Sequence, residues 1–348
     1  MDSNKKFDRL VEEHQVSWRH KTQLLEGQYG LYRGKSRTHI LPDEQWLRGV
    51  WQPIQDSLAT YLDASGIQPS SQKNNLKSSW IQSANLFFPF RWHPHMRRML
   101  TSFLSRRLNL PVTSIEAIEF EYAAPGNLEP KRLLGEQGGS RGSGQTSPDV
   151  AVIFGCEDGK SGLYLIENKY TEHHFYKCSS ADIKPSQGHI SMGLQPNDNP
   201  DRCRNVMEVY GNPEAMCHQQ EWGRKYWKLL KGSINEGALK ACGACPALTD
   251  GYQLFRQQAY SQGIADSRLF DLVVSGVAYD GRNKALISCL KSVGMKDFVN
   301  DWSRLFNTSV RFHCFTHQEL VSWATRSRSG FITEWGQYVK DRYDYKRN

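Results

Sequence analysis

A chain of 348 residues, 39% hydrophobic and 23% charged, has the composition of a folded globular protein and excludes disorder as its main state. No apolar run approaches the roughly 18–20 residues that a membrane helix needs. The start Met1-Asp2-Ser3-Asn4-Lys5-Lys6-Phe7 has no apolar stretch behind its lysines, so a soluble cytoplasmic protein is expected rather than a secreted or membrane one. Lys and Arg exceed Asp and Glu by 44 to 36, which favours a polyanionic partner without identifying it.

From residue 7 to about 25 the pattern is helical and polar. A second helix is expected to start at Asp43 as its cap, to run through Trp46, Leu47, Val50, Trp51, Ile54, Leu58 and Leu62, and to stop at Gly66. Residues 67–79 read as a polar loop, followed by the apolar run 83–90 and an amphipathic helix over 95–108. Basic residues crowd at Arg91, Arg97, Arg98, Arg106 and Arg107 and again in the tail 340–348; alone, such clusters read as solvated surface. Alternation then takes over across 115–122, with Ile118, Phe120 and Tyr122 on one face and Glu119 and Glu121 on the other. The segment 135–147 is too glycine-rich for helix or strand. Residues 149–154 and 163–170 read as a hairpin around the turn 155–162. A poorly patterned, cysteine-bearing insertion fills 171–248, a helix follows over 252–263, a buried strand over 269–279, and the remainder reads as mainly helical. The expected division is a helical region 1–80, a core 81–280 that contains the insertion, and a helical region 281–348.

Between about 95 and 279 the order is helix, three strands, helix, strand, and the middle hairpin carries the charge. Asp149 begins one strand, while Glu167 and Lys169 lie two apart on the next, so their side chains share a face. Two carboxylates there offer hard oxygen ligands suited to Mg²⁺ or Mn²⁺, and a lysine beside them orients a water or balances charge on a phosphorane. Pro-Asp alone says little, since Pro42-Asp43 and Pro200-Asp201 repeat it with no Glu-x-Lys strand behind them. The weight comes from Glu167 ending the apolar run 163–166. Two lookalikes of a phosphate-binding loop, Gly34-Lys35-Ser36 and Gly159-Lys160-Ser161, have Tyr29 and Phe154 where that loop needs glycine.

Ser147-Pro148-Asp149 and Ile166-Glu167-Asn168-Lys169, in this element order, resemble the PD-(D/E)XK nuclease superfamily, which includes type II restriction endonucleases. Ser83-Ala84-Asn85-Leu86-Phe87-Phe88-Pro89, Glu119-Phe120-Glu121-Tyr122, Gly135-Glu136 and Glu167-Asn168-Lys169-Tyr170-Thr171-Glu172 resemble a bacterial branch of it; the likeness covers about residues 80–280. The resemblance implies an α/β, restriction endonuclease-like core: a mixed central sheet flanked by helices, with helical additions at both ends and a cysteine-rich insertion. It further implies a metal-dependent endonuclease acting on nucleic acid, DNA ahead of RNA, with Asp149 and Glu167 on Mg²⁺ (or Mn²⁺) and Lys169 catalytic. An additional upstream acid is implied among Glu121, Glu119 and Glu136, with Glu121 ahead of Glu136, which lies on a loop expected to order with DNA. Several members pack a Gln-bearing helix beside the site, and Gln253, Arg256 and Gln257, one turn apart, would reach a phosphate from it. A restriction or phage-defence setting follows by analogy; the alternative is a catalytically silent nucleic-acid-binding protein of the same fold. The oligomeric state stays open, a homodimer included.

Eight cysteines without a signal peptide argue against a disulfide framework. Five of them, Cys178, Cys203, Cys217, Cys242 and Cys245, fall within 68 residues. Cys242-Gly243-Ala244-Cys245 supplies half of a metal site, two thiolates on a tight turn. The preferred ligands are Cys178, Cys203, Cys242 and Cys245, with Cys217 in reserve and His218 a further candidate. A structural Zn²⁺ there would explain how the insertion keeps a fold. A [4Fe-4S] cluster, which some nucleases of the superfamily carry, ranks second, and reduced cysteines dispersed in packing are the third reading. His313, Cys314 and His317 read as a buried cysteine between surface histidines.

Overall fold

The computed structural model of the chain describes residues 3–181, 191, 193–307, 310–327 and 329–345. Its centre is a five-stranded sheet of β1 (Val112–Phe120), β2 (Val150–Cys156), β3 (Ser161–Lys169), β4 (Leu272–Tyr279) and β5 (Arg311–Thr316), side by side in chain order. β1, β2 and β3 form an antiparallel meander, whereas β3–β4 and β4–β5 are parallel. Helices α1 (Ser3–Lys21), α2 (Gln55–Ala64), α3 (Ser79–Trp92) and α4 (Pro94–Leu108) precede the sheet. Parallel pairing needs a crossover, and after the insertion α5 (Tyr252–Ser267) carries the chain back to begin β4. α6 (His317–Ala324) and α7 (Gly330–Tyr343) follow β5. This is the mixed sheet with flanking helices that the motifs imply.

Strand alternation divides the interior into two cores. Val150, Val152 and Phe154, with Tyr164 and Ile166, pack against the helices from the two ends of the chain. Ala151, Leu163, Leu165, Val273 and Val277 face α5, the insertion and residues 286–305. β4 is covered on both sides, which is why it reads as an apolar run rather than an alternating one. The run 83–90 belongs to α3, capped by Ser78 and buried all round from Trp80 to Phe90.

Several expectations change. The helix expected from Asp43 to Leu62 is broken into turns at Asp43–Gly49 and Gln52–Ile54 before α2 begins: the backbone leaves the helical region at Val50 and Trp51, and Pro53 has no N–H with which to continue a helix. Asp43 caps nothing and instead reaches Lys73 at 3.4 Å. The region after 281 is not only helical, since β5 extends the sheet. The two chain ends form one layer: Gln15 Nε2 donates to the Arg342 carbonyl at 2.7 Å, and Trp18 meets Tyr338 edge-on at 6.0 Å. Arg342, in the basic tail, is fully buried among the Trp18, Tyr338 and Tyr343 rings and donates to Gly49 O. Arg91, Arg97 and Arg107 likewise donate to the carbonyls of Ile118, Arg91 and Cys314. His317 is no surface residue; it is completely buried.

The reason lies in Asn168, between Glu167 and Lys169 but pointing to the opposite face. Its amide donates to Gln82 Oε1 at 2.7 Å and Ser79 O at 3.0 Å, and its Oδ1 meets His317 Nε2 at 2.9 Å. His317 Nδ1 in turn faces Gln82 Nε2 and the Tyr345 hydroxyl. Burial pushes this imidazole down to about 3, so it stays neutral, carrying its proton on Nε2. The network is satisfied only as a whole. Asn168→Ala should therefore cost on the order of 3 kcal/mol, read as a lowered midpoint of denaturant unfolding, because buried partners on α3 and α6 are left unpaired. An unchanged midpoint would refute that role.

Candidate active site

Register places the acids. Val150 pairs with Ile166 and with Phe120, so continuing both ladders by one residue sets Asp149 opposite Glu167 and opposite Glu121. Residues directly across a sheet share a face. Glu121, Asp149 and Glu167 thus form a row across the ends of β1, β2 and β3, and the Glu121 N–H donates to Asp149 O at 3.1 Å.

Glu121 has a φ of +46°, left-handed backbone that an ordinary residue avoids. The alternation of β1 ends there, and Tyr122 joins the second core instead of following Ile118 and Phe120, contrary to the strand reading. The turn aims the Glu121 carboxylate into a cavity of about 410 Å³ that it lines with Trp80, Asp149, Glu167, Lys169 and Gln253. The Trp80 indole donates to it. Gly142 closes over it with a φ of +83°; a Cβ there would stand 2.8 Å from Gln68 O and 3.2 Å from Glu121 Cγ, so only glycine fits.

Asp149 is fixed by the Asn168 N–H, which donates to Oδ2 at 2.6 Å. Lys169 Nζ donates to Glu167 Oε1 at 2.9 Å and to Gln253 Oε1 at 2.8 Å, and lies 5.6 Å from the centre of the Tyr176 ring. Burial, then the charge of Glu167, pushes Glu121 up to about 8. Desolvation, then Glu167 and Glu121, holds Asp149 well above the usual carboxylate range. Burial works against the Lys169 ammonium, but the carboxylates of Glu167, Glu172 and Asp149 outweigh it and hold Lys169 above the usual lysine range. The three carboxylates of the row lie beside one ammonium, and two of the three are driven toward their neutral form; Glu172, Lys77 and Arg256 also line the cavity. A cation would relieve that imbalance.

The other candidates lie outside the row. Glu136 does not line the cavity, and its loop is tied down without a ligand: Glu136 accepts from the Thr146 N–H and hydroxyl and from Tyr226 at 2.9 Å. Glu119 is occupied by Tyr61, Arg91 and Arg141. Arg256 pairs with Glu136 at 3.8 Å, and Gln257 pins α5 to the sheet through Leu165 O, Ser275 and Gly276 O, which leaves Gln253 as the member of that helix bonded to Lys169. In the insertion, Cys178, Cys203 and Cys245 come together with Cys217, not with Cys242, whose thiol donates to Ala238 O instead. Among the described residues no three His, Cys, Asp or Glu side chains stand close enough to share an ion as they are placed. Sequence reasoning missed Trp80, Gly142 and Glu172. Glu172 lay within the quoted motif and takes the Tyr170 N–H at 2.9 Å, whereas Trp80 had no signal beyond its place before an apolar run.

The model of a family described as Restriction Endonuclease associating with ARP, REase-ARP, matches residues 12–344. The chain belongs to the REase-ARP family. The REase-ARP match takes in both terminal layers and the insertion, well beyond the 80–280 of the motif resemblance, and it bears out a restriction endonuclease-like family and a nuclease role at that level. No curated protein and no solved structure matches the chain. No helix among the described residues is long and apolar enough to cross a membrane.

The Glu121 value gives a pH test. Burial and the charge of Glu167 push its carboxyl up to about 8 from 4.5, so between these values the native state binds more protons than the unfolded one. Stability conferred by this group is therefore present at low pH and lost as pH rises toward 8. Melting of the chelator-treated protein from about pH 5 to about pH 9 should show a decline that Glu121→Gln flattens. Parallel wild-type and variant curves would mean that Glu121 ionises normally.

Proposed function

We propose that this protein is a metal-dependent endonuclease that hydrolyses phosphodiester bonds, with DNA as its substrate and restriction or phage defence as its setting. The observation that carries the reading is the row of Glu121, Asp149 and Glu167 across three strand ends, with Lys169 beside Glu167 in the same cavity. The donors are all carboxylate oxygens and are short of positive charge, which fits a hard divalent cation such as Mg²⁺ or Mn²⁺ rather than a soft one. Asp149 and Glu167 would hold it, with Glu121 as the third acid. The ion supplies Lewis acidity toward a phosphoryl oxygen and a water of lowered pKa.

The chain's own residues do the rest. The Asn168 N–H keeps the Asp149 carboxylate from turning away. Lys169, bonded to Glu167 and Gln253 beside the acids, is placed to act as donor and counter-charge to the phosphorane. Gln253 sets the direction of its ammonium. Trp80 and Gly142 press on Glu121 and keep its carboxylate in the row. DNA is favoured by the family description and by the surplus of eight positive charges.

Supercoiled plasmid incubated with the protein and Mg²⁺ should be nicked or linearised, and chelator should stop it. Asp149→Ala and Lys169→Ala should each lower the rate by at least about 10²-fold. Gln253→Ala should lose less, since it acts through Lys169. A wild-type protein that binds DNA and RNA yet cleaves neither with any divalent ion would sink the proposal.

A further inference from the structure

Among the described residues of the insertion, the helices Val206–Gly211, Pro213–Met216, His218–Glu221, Tyr226–Leu230 and Glu236–Cys242 have seven residues at most, too short to persist alone. Four cysteines, from four separate turns of this segment, meet in its interior. Cys178, Cys203, Cys217 and Cys245 are 5–8% exposed, and none is in a disulfide. Backbone bonds draw them together. The Cys245 N–H donates to Cys203 O at 2.8 Å, and the Cys178 N–H donates to Ala247 O at 3.0 Å, two residues past Cys245. Gln219, two residues past Cys217, reaches Cys178 Sγ at 3.5 Å.

The thiols also act on one another in every pairing: Cys178 on Cys203, both of these on Cys217, and all three on Cys245. Cys242 stands apart, influenced by Asp301 and bonded within its own helix. Dispersed packing cysteines have no reason to converge four at a time. A shared thiolate ligand set does, because one metal centre would crosslink four turns that otherwise meet through packing and a few hydrogen bonds.

We propose that Cys178, Cys203, Cys217 and Cys245 form a four-thiolate metal centre, a zinc ion or an iron–sulfur cluster, with Cys242 outside it. Each thiol gives its proton to solvent as its sulfur takes the metal. Because the sulfurs as placed are too far apart to share a single ion, zinc requires them to swing inward about their side-chain bonds, whereas a cluster spans a wider set.

Metal analysis of the full-length protein, purified without chelator and under nitrogen, tests this without nucleic acid, so its result is separate from that of the cleavage assay. One zinc per chain with no colour identifies the ion; iron with acid-labile sulfide and absorbance near about 400 nm identifies the cluster; either supports the centre. Cys217→Ser should lose the metal and Cys242→Ser should keep it. Since the first variant can fail to fold, folded wild-type protein is also titrated with a mercurial, and metal release should follow the loss of four thiols. Metal lost from Cys242→Ser and kept by Cys217→Ser would overturn the ligand set. Wild-type protein with neither metal, and with no zinc taken up on reconstitution, would overturn the centre itself.

Discussion

The end of β3 is where the molecule is fastened, and one residue does the fastening from both sides. The Asn168 N–H holds Asp149 on the cavity side, while its side chain enters the buried network of Gln82, His317 and Tyr345 behind the sheet. A backbone bond and a side-chain network on the same residue leave the strand end little freedom. Glu167 and Lys169, its two neighbours, inherit that rigidity. Charged groups that act together at one site must be held within a fraction of an ångström, and rigid supports accomplish this better than loops.

Around that fixed point the structure concentrates like charge and then contains it. Three carboxylates would push one another apart in an open setting. Strand register, the left-handed turn at Glu121 and the glycine lid at residue 142 oppose that separation. Lys169 compensates one charge and leaves the others to raise each other's proton affinity. Buried and half-buried ionic groups nearby and behind the sheet have partners: Glu119 with two arginines, Glu136 with Thr146 and Tyr226, Arg342 with aromatic faces.

Much of this was legible in the residues. The two-residue spacing of Glu167 and Lys169 and the hairpin before them are strand periodicity, which survives folding because the pleat is regular. The choice of Glu121 over Glu136 followed from its place on a strand. Other features depend on contacts made at long range, which periodicity does not encode. The basic character of Arg342 gave no hint that Trp18, more than three hundred residues earlier, would cover it. Gln257 and Arg256 share a helix face with Gln253, yet sheet carbonyls and Glu136 take them first. Cys217 lies near Cys178, Cys203 and Cys245 while Cys242, also buried, bonds within its own helix, and the spacing of thiols along the chain does not say which of the two comes near the others.

The fifth strand gives the molecule a schedule. β5, His317 and Tyr345 come from the last part of the chain, and they complete the support beneath a strand end made some 150–180 residues earlier. A ribosome delivers the acids first and their anchor last, and folding during synthesis proceeds from the N-terminus. A partly synthesised chain therefore carries the carboxylates and the lysine without the layer that locks them.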